Sequence, residues 1–423
     1  LKGEYLNRSD NTADLVIKNG RIITCASNGP KHGDEMEDIG VIENGFVAVD
    51  NGKITEVSHG DGSSFIEKHT KVIDAEGKVV MPGLVDPHTH LVHYGSRENE
   101  LEMKLNGVKY IDILNAGGGI LSTVRATRAA SFENLTNKVI NSLNIMLKWG
   151  TTTVEAKSGY GLNFVDEVKS LEVLKNINHP VDIVRTYLGA HAIPPEYKDN
   201  RDGYINLMID KVMPYVAENH LAEFVDCFCE DGAFSIEESE KILRRGIDLG
   251  FKVKIHADEI EPMGGASLAA KLGAISAEHL VAASDEEIHD MKEADVIPVL
   301  LPGTSFYLRM GRFARARKMI EEGLAVALAT DYNPGTCPCE SLQSIMVFAS
   351  MGMGMNPNEV INAMTINSAY AIDRGNSVGS LEKGKIADIL IMNAPNENYL
   401  IYHFGINHVH YVIKNGKVAV END

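Results

Sequence analysis

The sequence predicts a (β/α)8 TIM barrel with a small β-sandwich domain formed by both chain ends. Three observations predict it. Eight short apolar runs alternate with stretches of helical period through the middle of the chain. Hairpin-like runs punctuated by Asn-Gly stand at both ends. Polar residues collect immediately after the apolar runs, where a barrel gathers its chemistry at the carboxyl ends of its strands.

The first part of the chain places Leu15 to Lys18 before Asn19-Gly20, and Phe46 to Val49 before Asn51-Gly52. Asn-Gly between alternating apolar runs is the pattern of a tight hairpin turn. The C-terminus repeats it, with Ala387 to Met392 and then His410 to Lys414 before Asn415-Gly416. Neither piece is large enough to bury a core alone, so the two are expected to join, giving a composite β domain of residues 1–80 and 376–423. The barrel is then expected over residues 81–375.

Its strand candidates are Val79 to Val85, Thr152 to Glu155, Asp182 to Leu188, Glu223 to Cys229, Lys252 to Ile255, Ala274 to Ala277, Val296 to Leu301 and Ala325 to Ala329. Between His191 and Asp331 the strand ends recur roughly every 28 residues, near the ~30 of a βαβ unit. One long excursion follows the first strand. Ser235-x-x-Glu238 and Ser284-x-x-Glu287 have the form of capping boxes that open helices. A helix beginning near Ser131 puts Val139, Leu143, Met146 and Leu147 on one face and stops at Gly150.

The composition is that of an ordinary globular protein, with 44% hydrophobic and 23% charged residues. A net charge of −19 argues against a nucleic-acid surface. No apolar run is long enough to span a membrane and no secretory signal is visible, so a soluble, cytoplasmic protein without a membrane partner is expected. Asn7-Arg8-Ser9 and Asn134-Leu135-Thr136 match the glycosylation acceptor and carry little weight in that setting. The five cysteines, with two Cys-x-Cys spacings, read as reduced thiols rather than a zinc-binding pair.

The strand ends carry the functional argument. His88-Thr89-His90 follows the first strand, Lys157 and Tyr160 the second, His191 the third and Glu230-Asp231 the fourth. His256-Ala257-Asp258-Glu259 closes the fifth, Glu278-His279 the sixth, Pro302-Gly303-Thr304 the seventh and Asp331-Tyr332-Asn333 the eighth. A lone His-x-His is weak, and a second one, His408-x-His410, sits in the predicted β domain and reads as structural. Imidazoles and a carboxylate at the first, fifth, sixth and eighth ends would converge on one barrel mouth. Neutral imidazoles with one carboxylate suit a borderline divalent ion such as zinc, or iron, and not Mg²⁺ or Ca²⁺.

With Pro82-Gly83-Leu84-Val85-Asp86-Pro87-His88-Thr89-His90 in view, the chain resembles the amidohydrolase superfamily. Within it, several stretches resemble the imidazolonepropionase family, in order from first strand to last. They are Gly95 to Glu100, Asn115 to Ile120, Glu155 to Leu162, Gly189 to Ala192, Ile255 to Glu259, Leu300 to Tyr307 and Ala329 to Gly335. The resemblance implies metal ligands at His88, His90, His256 and Asp331, and substrate contacts at Arg97, Tyr160, His191, Glu259, Asn333, Gly335 and Thr336. It implies catalytic roles for Glu259, His279 and Asp331, with Glu259 and Asp331 both open as the main proton acceptor. It further implies one Zn²⁺ or Fe³⁺ per subunit, a homodimer, and hydrolysis of the ring amide of 4-imidazolone-5-propanoate to N-formimidoyl-L-glutamate in histidine degradation. The alternative on the same scaffold is a mononuclear deaminase of a cytosine- or guanine-like ring, because such enzymes share the ligand pattern. A binuclear hydantoinase type fits less well, since Cys229-Glu230-Asp231 stands where a carboxylated lysine is expected. A barrel that has lost catalysis would lack ligands that are all present here.

Overall fold

The computed structural model describes residues 12–108, 112 and 117–422. Asn7-Arg8-Ser9, and Asn115 and Ala116 of the glycine-rich motif, lie outside the described residues.

Strands from both ends of the chain form one mixed sheet. From the N-terminal part come β1 (Leu15–Ile23), β2 (Val41–Asp50), β3 (Lys53–His59), β4 (Lys71–Asp74) and β5 (Val79–Pro82). The order across it runs β3, β2, β1, β5 and then three C-terminal strands, with β4 also on β1. The join is antiparallel: Val79 to Pro82 pair with Met392 to Ile389. Alternating residues of these strands, among them Ile17, Ile22, Val47, Val49, Ile73, Val80, Ile389 and Ile413, pack into one buried cluster.

Asn51-Gly52 is a tight turn, with φ values of 50° and 77°. Asn19-Gly20 is not a turn, contrary to the sequence expectation. It lies inside β1 as an irregularity facing Gly45 of β2, with Asn19 at φ 54°. The chain runs on because one side of β1 has two partners, β4 along Leu15–Lys18 and β5 along Arg21–Ile22, and the bulge separates them. A side chain at Gly20 would come within 2.7 Å of Val80 Cγ2.

The run Val79 to Val85, read as one strand, is two. After β5, Gly83 donates its amide to the Asp388 carbonyl at 2.9 Å, and β6 (Leu84–Asp86) starts the barrel. A Cβ at Gly83 would stand 2.3 Å from Thr152 Oγ1, so the crossover between the sheets requires a glycine there.

The second sheet is parallel and in chain order. It comprises β6, β7 (Thr151–Lys157), β8 (Asp182–Ala190), β9 (Phe224–Cys229), β10 (Lys252–Ala257), β11 (Ser276–His279), β12 (Ile297–Leu300) and β13 (Ala327–Leu328). Beyond the last strand its ends meet, where Thr89 bridges Tyr332, the Asp331 amide donates to His88 O at 3.1 Å and the His90 amide to Tyr332 O at 3.0 Å. The two strands that close the barrel thus carry their ligand candidates side by side.

Helices begin where their caps predicted. Ser235 and Ser284 each accept the amide three residues on, and Glu238 and Glu287 return the bond in full capping boxes. Ser131 caps Phe132–Lys148, which buries Val139, Leu143, Met146 and Leu147. The C-terminal strands β14 (Ile389–Met392), β15 (Val409–Lys414) and β16 (Lys417–Glu421) complete the first sheet, with Asn415-Gly416 as the β15–β16 turn. Cys25, Cys227, Cys229 and Cys337 are buried free thiols and Cys339 is half-buried, and burial raises Cys25 and Cys229 to about 11. Among the described residues no helix is long and apolar enough to cross a membrane.

Candidate metal centre and active site

His88 and His90 follow β6, and two turns of the pleat put both rings on the inside of the barrel. His256 sits in β10 and Asp331 follows β13. Asp331 Oδ1 lies 3.4 Å from His88 Nε2 and 3.3 Å from His90 Nε2, while His256 Nε2 lies 3.4 Å from His90 Nε2. All four side chains are buried.

Both ring nitrogens of His88, Nδ1 of His90 and Oδ1 of Asp331 have no hydrogen-bond partner. Buried polar atoms left without partners are costly, and two of these, His88 Nε2 and Asp331 Oδ1, face each other at 3.4 Å beside His90 Nε2, as the donors of an ion site would. His279, on β11, shares a possible ion position with His88 and His256. Burial together with the Lys157 charge holds His88 and His256 well below the usual imidazole range, and burial pushes His90 down to about 3. The rings are therefore neutral, as metal ligation requires. His88, His90 and Asp331 bring their ligand atoms within 4.8 Å of one another, His88, His256 and His279 do the same, and neutral imidazoles with a carboxylate are donors that suit zinc or iron.

Supporting bonds fix two of the four donors, His256 and Asp331. His256 Nδ1 lies 3.0 Å from Asp226 Oδ2, so the ring presents Nε2 to the site. Thr304 Oγ1 donates to Asp331 Oδ2 at 2.5 Å, which leaves Oδ1 for the ligand side. Asp331 and His279 hold φ values of 54° and 72°, sparsely populated for residues with a Cβ. Sparsely populated backbone of this kind clusters at functional sites, and here it falls at two strand ends that bear candidate residues.

The other expected contacts line the same mouth. His191 stacks on His90 with centroids 4.8 Å apart, and the ring of Tyr160 lies 5.2 Å from His191 and 5.9 Å from His90. His191 Nδ1 donates to Gly159 O at 2.9 Å. Glu259 Oε2 is 3.7 Å from His279 Nδ1, and burial, with Asp331 and Glu230 nearby, pushes its carboxyl up to about 8. Arg97 gives Nε and Nη2 to Glu100 at 2.9 and 2.8 Å, and a Cβ on Gly335 would come within 2.1 Å of its Nη1. Asn333 is turned inward on its own loop: it donates to Asp331 O at 2.7 Å and accepts the amides of Gly335 and Thr336 at 2.8 Å. Thr336 Oγ1 reaches Asp331 Oδ2 at 3.3 Å.

The amidohydrolase family model matches residues 79–419. An imidazolonepropionase of Alkaliphilus metalliredigens is 53% identical over 414 residues, which is 96% of this chain and 98% of the relative. This chain belongs to the imidazolonepropionase family of amidohydrolases. A second member, from Treponema denticola, is 56% identical over 380 residues, covering 89% of this chain and 92% of its own. Among solved structures, a 5-methylcytosine deaminase of Klebsiella pneumoniae, liganded with phosphonocytosine, superposes with a TM-score of 0.72 at 16% identity, covering 96% of this chain and 98% of its own. An adenosine deaminase of Xanthomonas campestris with bound zinc has a TM-score of 0.68 at 19% identity, covering 97% and 94%. At such identities the likeness to the deaminases is one of fold.

Membership in the imidazolonepropionase family places no residue by itself, and the structure adds two that sequence reasoning passed over. Asp226 holds His256 from inside β9, and Thr304 holds Asp331. Asp226 had a signal, a carboxylate in the middle of the apolar run Phe224-Val225-Asp226-Cys227. A fully buried acid there needs a partner of stated function. Thr304 was read in the sequence only as part of Pro302-Gly303-Thr304 after the seventh strand, with nothing to give it a task, because a threonine there is ordinary. His408, in the second His-x-His, is buried just before β15 of the chain-end sheet, with Nε2 2.7 Å from His403 O.

Proposed function

We propose that the chain hydrolyses the ring amide of 4-imidazolone-5-propanoate to N-formimidoyl-L-glutamate, a step of histidine degradation. The observation that carries the reading is the grouping of His88, His90 and Asp331, with His256 Nε2 3.4 Å from His90 Nε2, at the mouth of a barrel whose full-length relatives are imidazolonepropionases. In this reading those four residues hold one Zn²⁺ or Fe³⁺ per subunit. Such an ion, when bound, lowers the pKa of water to about 7 and polarises a carbonyl.

Asp331 accepts the proton that the attacking water gives up as its oxygen bonds to the ring carbonyl carbon. His279, neutral and beside Glu259, stabilises the negative charge that grows on the carbonyl oxygen. The C–N bond then breaks, and Glu259, whose buried carboxyl favours its protonated form, gives a proton to the departing nitrogen. Arg97 binds the propanoate carboxylate, with its angle set by Glu100. Tyr160, His191, Asn333, Gly335 and Thr336 form the rest of the substrate wall. Residues 81–375 serve as the catalytic barrel and residues 1–80 with 376–423 as one supporting domain, in a cytoplasmic homodimer.

The test is direct. Metal-replete protein consumes freshly prepared imidazolone propanoate, followed by loss of its ultraviolet absorbance, and Asp331→Ala abolishes the reaction. Release of ammonia from an aminopyrimidine or aminopurine, with imidazolone propanoate untouched, would replace this reading by the deaminase one.

A further inference from the structure

Lys157 stands on the floor of the site and has no part in the chemistry above. It is fully buried at the end of β7. Its ammonium lies 2.8 Å from Glu155 Oε1 and 2.8 Å from Asp226 Oδ2. Those two carboxylates lead in different directions. Asp226 takes the Nδ1 proton of His256, at 3.0 Å. Glu155 Oε2 accepts the amide of Thr89 at 3.3 Å, the residue between His88 and His90. Two further bonds lock the same place: Thr89 Oγ1 donates to Glu155 O at 2.7 Å, and the Lys157 amide donates to Thr89 O at 3.0 Å.

We propose that Lys157 is a positioning residue that ties the β6 pair of metal ligands to the β10 ligand through Glu155 and Asp226, so that the three imidazoles are held at binding separation as one unit. A buried lysine between two acids is often only a filled core position. Two features argue for more. Each carboxylate that Lys157 touches makes its next contact with a ligand or with the peptide joining two ligands, so removing the cation loosens both. The barrel also supplies its own control. Lys254, equally buried, pairs with Glu278 Oε1 at 3.0 Å and donates to the carbonyls of Pro87 and Ala371, both at 3.3 Å. Its one link toward a ligand is the Pro87 carbonyl, which precedes His88, and its bonds reach neither Asp226, the support of His256, nor Thr89, which joins the β6 pair. If charge in the floor were all that mattered, the two lysines would be equivalent.

The inference rests on the metal reading of the site, and the experiment separates the two. The Zn²⁺ dissociation constant of the full chain is measured by competition with a chromophoric chelator, beside thermal melts of the metal-free proteins. Lys157→Met and Asp226→Asn are each expected to weaken Zn²⁺ binding by roughly 10–100-fold, the usual effect of losing an outer support of a ligand. The double variant is expected to lose no more than the worse single one, because both changes cut the same tie. Lys254→Met is expected to lower the melting temperature comparably while keeping Zn²⁺ affinity within about threefold. Equal losses in affinity for Lys157→Met and Lys254→Met, or fully multiplicative losses in the double variant, would overturn the tether and leave the metal site standing. Wild-type protein that takes up no Zn²⁺ removes the metal reading and the tether with it. Should Lys157→Met fail to fold, Glu155→Gln keeps the volume and an oxygen for the Thr89 bond while removing the carboxylate charge that holds Lys157; affinity unchanged within threefold then counts against the proposal.

Discussion

At the scale of single residues the site is a matter of edges. Arg97 spends its Nε–Nη2 edge on Glu100, and Glu100 also takes the Gly119 amide at 2.7 Å. A guanidinium held on one side by a carboxylate keeps its plane, and a second carboxylate can meet only the rest of its donors. Arg97→Ala is therefore expected to raise KM by the equivalent of about 2–4 kcal/mol with a smaller change in kcat, since the lost contact is made in ground and transition states alike. Steady-state kinetics decide it, and an unchanged KM would take Arg97 out of the substrate wall. His88 and Asp331 stood out in the sequence as ligand candidates because their side-chain type and their position after a strand pointed to one task, and His256 because it stands near the end of one. Asp226 stood out only as an acid inside an apolar run, and its task was hidden because it depends on a ring that stands thirty residues on in the chain.

At the scale of elements, buried carboxylates recur as clamps on the loops that bear the site. Glu167, in the first turn of Phe164–Asn176, accepts the amides of Gly161 and Leu162 at 2.8 Å and of Gly159 at 3.2 Å. Glu230 accepts those of Ile260 and Glu261 at 3.0 and 3.2 Å, behind Glu259. Asp86 accepts the Thr330 amide at 3.1 Å, next to Asp331. Short loops after barrel strands leave backbone amides pointing into protein, and an acid that gathers several satisfies them at once. Glu167→Gln should consequently loosen the loop that presents Tyr160 and the Gly159 carbonyl that orients His191. We expect a loss of about 1–3 kcal/mol of stability and a several-fold rise in KM, the first read from denaturant melts and the second from kinetics. A stability loss without any kinetic change would show that the clamp serves folding alone. The capping boxes at Ser235 and Ser284 could be read in advance since both partners lie within four residues. The clamps could not, since Glu167 looks like any helix-opening acid until the loop is folded over it.

At the scale of the whole molecule, the two chain ends share one sheet, and the barrel hangs from it at Gly83. The last hairpin buries Val409, Val412 and Ile413, and Lys414 reaches Asp388 and Asp182 at 2.6 Å. Asp388 in turn holds the amide of Gly83 through its carbonyl, at 2.9 Å. Removing residues 408–423 would delete three buried aliphatic side chains, whose burial contributes roughly 1.5–3 kcal/mol each, and leave Asp388 without its buried partner Lys414, which together approach the 5–15 kcal/mol of an entire domain. The truncated chain is expected in the insoluble fraction or with a strongly lowered melting temperature. A soluble truncated protein with normal melting would mean that the barrel stands without its second sheet.

What the sequence alone determined was local: the alternation of strand and helix, the Asn51-Gly52 and Asn415-Gly416 turns, the helix caps and the kind of side chain that follows each strand. Those signals act over a few residues, through backbone preference and hydrophobic period, and survive in any fold that uses them. Only the tertiary structure decided that Val79 to Val85 serves two sheets, that Asn19-Gly20 is a bulge and that Asp226, Glu155 and Lys157 form one chain of contacts beneath the ligands. Each of these depends on which distant strand arrives alongside, and that is set by the closure of the sheets rather than by any neighbour in sequence.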